Sequence, residues 1–245
     1  MEKKRKEIPK KLRTPLAIIM LLLWVAAVAL SSEAAVFYSL YWIFGADAFD
    51  ATWFVAIYHI LTSVLTLFVA VIIPHLFFKK GRTSREESGL TGLLTWTDIG
   101  LAPLGYVVST ILAIGASALF SLFPWFNANQ GQDLGFATAL TGMDRIISFF
   151  AVAVVAPIIE EIVFRGWLYG KIRSRLNMVA SILIVSLLFG LIHRQWNLGL
   201  NTFVTSIVLC GLREMTGTIY SGIIVHMIKN GIAFYLVYVM GVGMV

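Results

Sequence analysis

Five ionisable side chains and one amide stand inside stretches that otherwise read as membrane interior. In APIIEEIVFRG (156–166), Glu160 and Glu161 are adjacent, and Arg165 follows Glu161 by four residues. In FGLIH, Phe189 and His193 are four apart, and in HMIKN so are His226 and Asn230. Residues four apart share a helix face, so each pair is directed to one side of its helix. Adjacent glutamates are about 100° apart on a helix of 3.6 residues per turn and cannot face one point. Glu161 and Arg165 can pair along one face, which leaves Glu160 for chemistry.

Depth follows from counting. The helices carrying Glu160 and His193 are joined by a tight basic turn near residue 176, 16 residues after Glu160 and 17 before His193. At about 1.5 Å rise per residue, an antiparallel hairpin sets the two at nearly one level. A carboxylate and an imidazole there can hold a water between them. His226 lies about ten residues beyond a turn near 216, so its level depends on the offset between hairpins. Pro157 removes a backbone hydrogen bond one turn before Glu160 and predicts a kink, although prolines without any such role are common in spanning helices.

The elements that must position these groups are membrane helices. The 245 residues are 59% hydrophobic and 13% charged, with mean hydropathy +0.86. Soluble domains carry about a quarter charged residues. Spans of roughly 20 apolar residues are predicted at 14–44, 52–78, 101–123, 146–173, 178–196, 199–213 and 219–241. The first contains Glu33 and is expected to be tilted or broken; the sixth is short. The fold class is therefore all-α, a polytopic transmembrane bundle of about seven spans, with six or eight as alternatives. Residues 1–92 form a basic segment, two spans and a loop, and 93–245 the core that carries the chemistry. No internal repeat is visible, and LLTWTDIGL (93–101) reads as an amphipathic approach to the third span.

Lys and Arg concentrate in residues 1–13, in KKGRTSREE (79–87) and in RGWLYGKIRSR (165–175). Seven spans put all three on the cytoplasmic side, N-terminus included, as positive-inside topology requires. The basic start resembles a signal peptide with ALSSEA as a cleavage candidate, but the apolar run continues past it, which favours an uncleaved anchor. The net charge of +6 comes from helix ends rather than an aromatic-interleaved stripe, so it points to an anionic lipid leaflet and not to nucleic acid. The single Cys210 excludes an internal disulfide and a cysteine-built metal site.

Each group also has an unremarkable role available. A lone histidine in a bundle is most often a helix–helix hydrogen bonder, and His59 and His75 are read that way. Glu-Glu-Arg alone could be a buried ion pair. Ionisable groups within the membrane are nevertheless expensive and functional by default. Six such groups on the last spans point to a site.

The ordered trio EEIVFR, FGLIH and HMIKN is similar to the EExxxR, FxxxH, HxxxN pattern of the CPBP (CAAX protease and bacteriocin-processing, or Abi) intramembrane endopeptidases. The resemblance covers about 140–240, with every signature position filled. It implies that Glu160 and His193 activate the attacking water and that His226 and Asn230 stabilise the oxyanion. Glu161, Arg165 and Phe189 support them. An imidazole N–H and an amide are suitable donors for that purpose. The implied substrate is a membrane-associated peptide or protein, hydrophobic or prenylated, reached from the bilayer; short basic loops fit a prokaryotic plasma membrane, with the endoplasmic reticulum as the alternative.

The family is often described as metalloproteases, and Glu160, His193 and His226 would form a two-His, one-carboxylate zinc set. No HExxH helix is present, and Asn230 suits an oxyanion better than zinc, so no cofactor is firmly assigned and water activated without metal is preferred. GxSxG is absent. Asp47, Asp50, Asp98, Asp133 and Asp144 all fall in or near loops, which removes an intramembrane aspartate pair. A non-proteolytic peptide-binding or immunity protein remains the alternative. A proton-coupled transporter is weakened by the lack of paired broken helices.

Overall fold

The structure, a computed structural model, describes residues 10–79, 81–130, 136 and 142–241, with side chains from residue 14 onward. Among the described residues every regular element is helical. Helix α1 spans Lys10–Phe44, and a 3-10 turn, Ala46–Asp50, leads to α2, Thr52–Phe77. The short α3, Arg85–Ser88, precedes α4, Trp96–Phe120, and α5, Gly142–Arg173. Then follow α6, Met178–Leu191, α7, Trp196–Thr216, and α8, Tyr220–Tyr238.

Five helices, α1, α2, α4, α5 and α8, are long and apolar enough to cross a membrane. Helix α6 is apolar but has only 14 residues, about 21 Å, short of the ~30 Å hydrocarbon core. Helix α7, with 21 residues, has the length but carries Asn197, Asn201, Arg213 and Glu214. Five spans and the α6–α7 hairpin together make the all-helical, multi-pass bundle that the hydropathy predicts.

Three expected boundaries move. The fifth span stops at Leu191, not 196, because the backbone turns there: Arg194 takes the left-handed region (φ 57) and Gln195 is extended before α7 begins. Gly190 and Gly199 allow the close crossing that follows, since a Cβ on Gly190 would lie 2.7 Å from the Gly199 carbonyl oxygen. The sixth span is longer than expected on both sides. Helix α1 is unbroken through Glu33, whose carboxylate receives Arg194 Nη2 at 2.7 and 2.6 Å, so a partner, not a break, accommodates the charge. The third span starts at Trp96, where Thr95 and Asp98 form a capping box.

Proline is absorbed by π turns. In FVAVIIP, residues 68–72 are π-helical before Pro74, and in AVAVVAP residues 151–155 are π-helical before Pro157. Each distortion leaves a carbonyl short of a backbone donor, and a side chain from another helix supplies one. Trp24 Nε1 donates to Ala70 O at 3.2 Å and Asn230 Nδ2 to Val152 O at 2.9 Å. A π-register partner for Val152 would be the N–H of residue 157, which proline lacks.

The core packs α1, α2, α5, α6 and α7 around Val25, Ala70, Val163, Phe164, Leu168 and Phe189. At one end the loop 81–92 straps onto α5. Gly166 and Gly170 admit its backbone, and Lys171 Nζ bonds the Arg82 carbonyl and Glu87 Oε2. Two of the three basic segments thus meet at one end of the bundle, as the charge pattern requires. Residues 1–9 of the third lie outside the described residues, as does Asp133. Asp98 is 1% exposed, joining α4 to α8 through Thr218 Oγ1 at 2.9 Å and Ser221 Oγ at 2.8 Å.

Candidate active site

Glu160 and Glu161 sit in a six-residue α segment, Ala156–Glu161, between the π turn before Pro157 and a second, Ile162–Leu168. Local α geometry keeps the two carboxylates on different faces. Glu161 is fully buried, and its Oε1 accepts from Arg165 Nη1 at 2.9 Å, the pairing expected from the spacing. The same oxygen also receives His226 Nδ1 at 2.9 Å. Glu161 is therefore more than the counter-charge of Arg165: it orients an imidazole from α8. Gly222, one turn earlier on α8, permits the approach, since a Cβ there would stand 3.2 Å from Glu161 Oε2.

Glu160 is the accessible carboxylate, 33% exposed against 0% for Glu161. Its Oε2 lies 3.7 Å from His226 Nε2. His226 thus spans the two glutamates, one on each ring nitrogen.

His193 follows the end of α6 instead of sitting within a helix. Its Nδ1 lies 2.6 Å from Phe189 O. A carbonyl only accepts, so the proton of the neutral ring is assigned to Nδ1 and Nε2 carries the lone pair. Glu160, His226 and Lys229 all act on it electrostatically. No hydrogen bond or ion pair joins Glu160 to His193 among the described residues.

Phe189 is the hub that joins the three sequence fragments. Its ring centroid is 5.0 Å from that of His193, 6.0 Å from His226 and 4.9 Å from Phe164. The Arg165 guanidinium lies 4.2 Å above it, a cation–π contact for a cation whose Nε and Nη2 have no hydrogen-bond acceptor. Asn230 reaches the site anchored by its bond to Val152 O, which occupies one of its two amide hydrogens and leaves the other.

Six of the seven expected residues form one connected group, and Asn230 lies one turn beyond His226 on α8, bonded to Val152 O. Three others were not expected. Lys229 lies one turn from His226 on α8; its position in the middle of a span was the available signal. Glu33 and Arg194 form an ion pair beside His193, and only the intramembrane Glu33 hinted at it. His75 instead accepts from Thr83 N at 3.3 Å, and His59 packs on Phe136 at 5.5 Å, both away from the group.

Beside His193 opens a cavity of about 460 Å³ lined by Trp125, Phe126, Gly190, Arg194, Trp196 and Phe203. It is large enough for a bulky apolar group. Among the described residues no three His, Cys, Asp or Glu side chains converge to hold a metal. His226 gives Nδ1 to Glu161 and turns Nε2 towards Glu160.

Comparison with known proteins agrees with this geometry. Residues 142–232, which contain the whole group, match the family described as Type II CAAX prenyl endopeptidase Rce1-like. The chain is also 24% identical over 172 residues to a Bacillus subtilis strain 168 protein named "Putative membrane peptidase YdiL", covering 69% of this chain and 68% of that one. No solved structure matches it. The three signature fragments gathered around Phe189 all lie within the matched stretch, so it is in the site-bearing part of the chain that the likeness to these membrane peptidases is found.

Proposed function

We propose that the protein hydrolyses a peptide bond of a membrane-associated peptide, hydrophobic or prenylated, with Glu160 as general base. The observation that carries the reading is the contrast between the two adjacent glutamates. Glu161 is sealed and committed to Arg165 and His226, while Glu160 is open to the site and faces His226 Nε2. Glu160 takes the proton of a water that His193 Nε2 helps to position. As that water attacks the carbonyl carbon, charge develops on the carbonyl oxygen. The free amide hydrogen of Asn230 and a protonated His226 Nε2 are the donors to it. Glu160 then returns the proton to the departing amine. The aromatic cavity beside His193 supports an apolar substrate group.

Water activation without metal remains the preferred route, because the Asn230 amide suits a developing oxyanion better than zinc and the chain has no HExxH helix. The test is cleavage of hydrophobic peptides by the protein reconstituted in liposomes, read by mass spectrometry. Loss of general-base catalysis lowers rates by roughly 10²–10⁴, so Glu160→Gln is expected to abolish detectable cleavage, with His193→Ala close behind. Activity that survives chelation in metal-free protein supports the metal-free route. Full activity in Glu160→Gln removes Glu160 as the base, and a wild type that cleaves no peptide removes the peptidase reading and leaves a binding protein.

A further inference from the structure

Lys229 is the group in the site that hydrolysis by Glu160 and His193 does not use. It lies midway along α8, Tyr220–Tyr238, roughly 14 Å from either end of the helix. That is farther than a lysine stem reaches toward the headgroups. By i, i+3 geometry it lies beside His226, on the flank away from Asn230. His226 is turned to Glu161 and Glu160. The ammonium is near enough to feel the charges of Glu160 and Arg165, yet it has no hydrogen-bond or ion-pair partner among the described residues. Arg165 is already compensated by Glu161, and Glu160 is directed at His226. An intramembrane ammonium without a partner is costly, and the site lacks the anion that would complete it.

We propose that Lys229 is the anion-binding residue of the catalytic centre and takes a carboxylate of the peptide substrate. The inference rests on the peptidase reading and adds the substrate class to it. Carboxylates are the only anionic groups of an unmodified peptide, so the source is the C-terminus or an Asp or Glu side chain. The position of Lys229 one turn from His226 sets that carboxylate beside the catalytic centre, on the flank away from Asn230.

The experiment uses full-length protein in liposomes and a pool of hydrophobic peptides. Each is made as the free acid and as the C-terminal amide, with Asp or Asn near the centre. A charge-assisted hydrogen bond corresponds to about tenfold or more in affinity. Wild type is therefore expected to favour carboxylate-bearing members by about that factor in kcat/KM, mainly through KM. Lys229→Met loses the preference and Lys229→Arg keeps it. Dependence on the free acid assigns the C-terminus; dependence on Asp assigns the side chain. No preference in wild type, or an equal fall for all peptides in Lys229→Met, overturns the proposal, the latter because Lys229 then serves only to balance Glu160. Wild type cleaving no member of the pool removes the peptidase reading instead, and this inference with it.

Discussion

His226 Nδ1 stands 2.9 Å from Glu161 Oε1, an oxygen that also holds Arg165 at 2.9 Å. A buried glutamate therefore fixes the ring whose other nitrogen faces Glu160. The adjacent carboxylates act on the same imidazole from opposite sides, one holding it and one working beside it.

Glu160→Gln and Glu161→Gln should differ in kind. Removing one partner of a buried pair costs about 3–5 kcal/mol, so Glu161→Gln is expected to lower both cleavage and the melting temperature in detergent. Glu160 is partly exposed and not tied to Arg165, so its substitution should abolish cleavage while the melting temperature stays within a few degrees. Equal melting losses in the two variants would contradict the division of roles.

Asn230 and Pro157 are linked through the Val152 carbonyl. Asn230→Leu leaves that carbonyl unpaired, at a cost of about 1–3 kcal/mol. Pro157→Ala restores an N–H at residue 157 and lets the backbone satisfy Val152. Asn230→Leu should therefore be less damaging to stability in the Pro157→Ala background than alone, while cleavage stays low in both. Additive melting shifts would break the link.

Gly170 admits the loop 81–92, since any Cβ there collides with the Glu87 carbonyl. Gly170→Val is expected to detach the loop from α5 and expose Arg82 and Arg85 to trypsin. Limited proteolysis of the detergent-solubilised protein reads this directly. Unchanged digestion at those two arginines would show that the loop is held elsewhere.

Glu33 and Arg194 tie the first span to the turn that carries His193. The pair is substantially exposed, with side-chain values of 38% and 61%, so its coupling in a double-mutant cycle should be only about 0–1 kcal/mol. Its effect on His193 should be larger than its effect on stability. Glu33→Gln is expected to lower kcat with little change in melting, and the swap Glu33→Arg with Arg194→Glu to recover part of the rate.

Hydropathy alone determined a polytopic helical protein, because spanning a bilayer demands long apolar runs whatever their neighbours. Helical periodicity separated Glu160 from Glu161 and paired Glu161 with Arg165, since both relations lie within one helix. The fragments EEIVFR, FGLIH and HMIKN marked the candidate site residues. What spacing could not supply was the rotation and depth of one helix against another, which packing sets. Only the folded chain brings His226 onto Glu161 across 65 residues and Asn230 onto Val152 across 78. Only there does α6 end early enough to place His193 in a turn held beside Glu33. Lys229 was in plain view within HMIKN, but that it finds no hydrogen-bond or ion-pair partner among the described residues is set by how the helices pack.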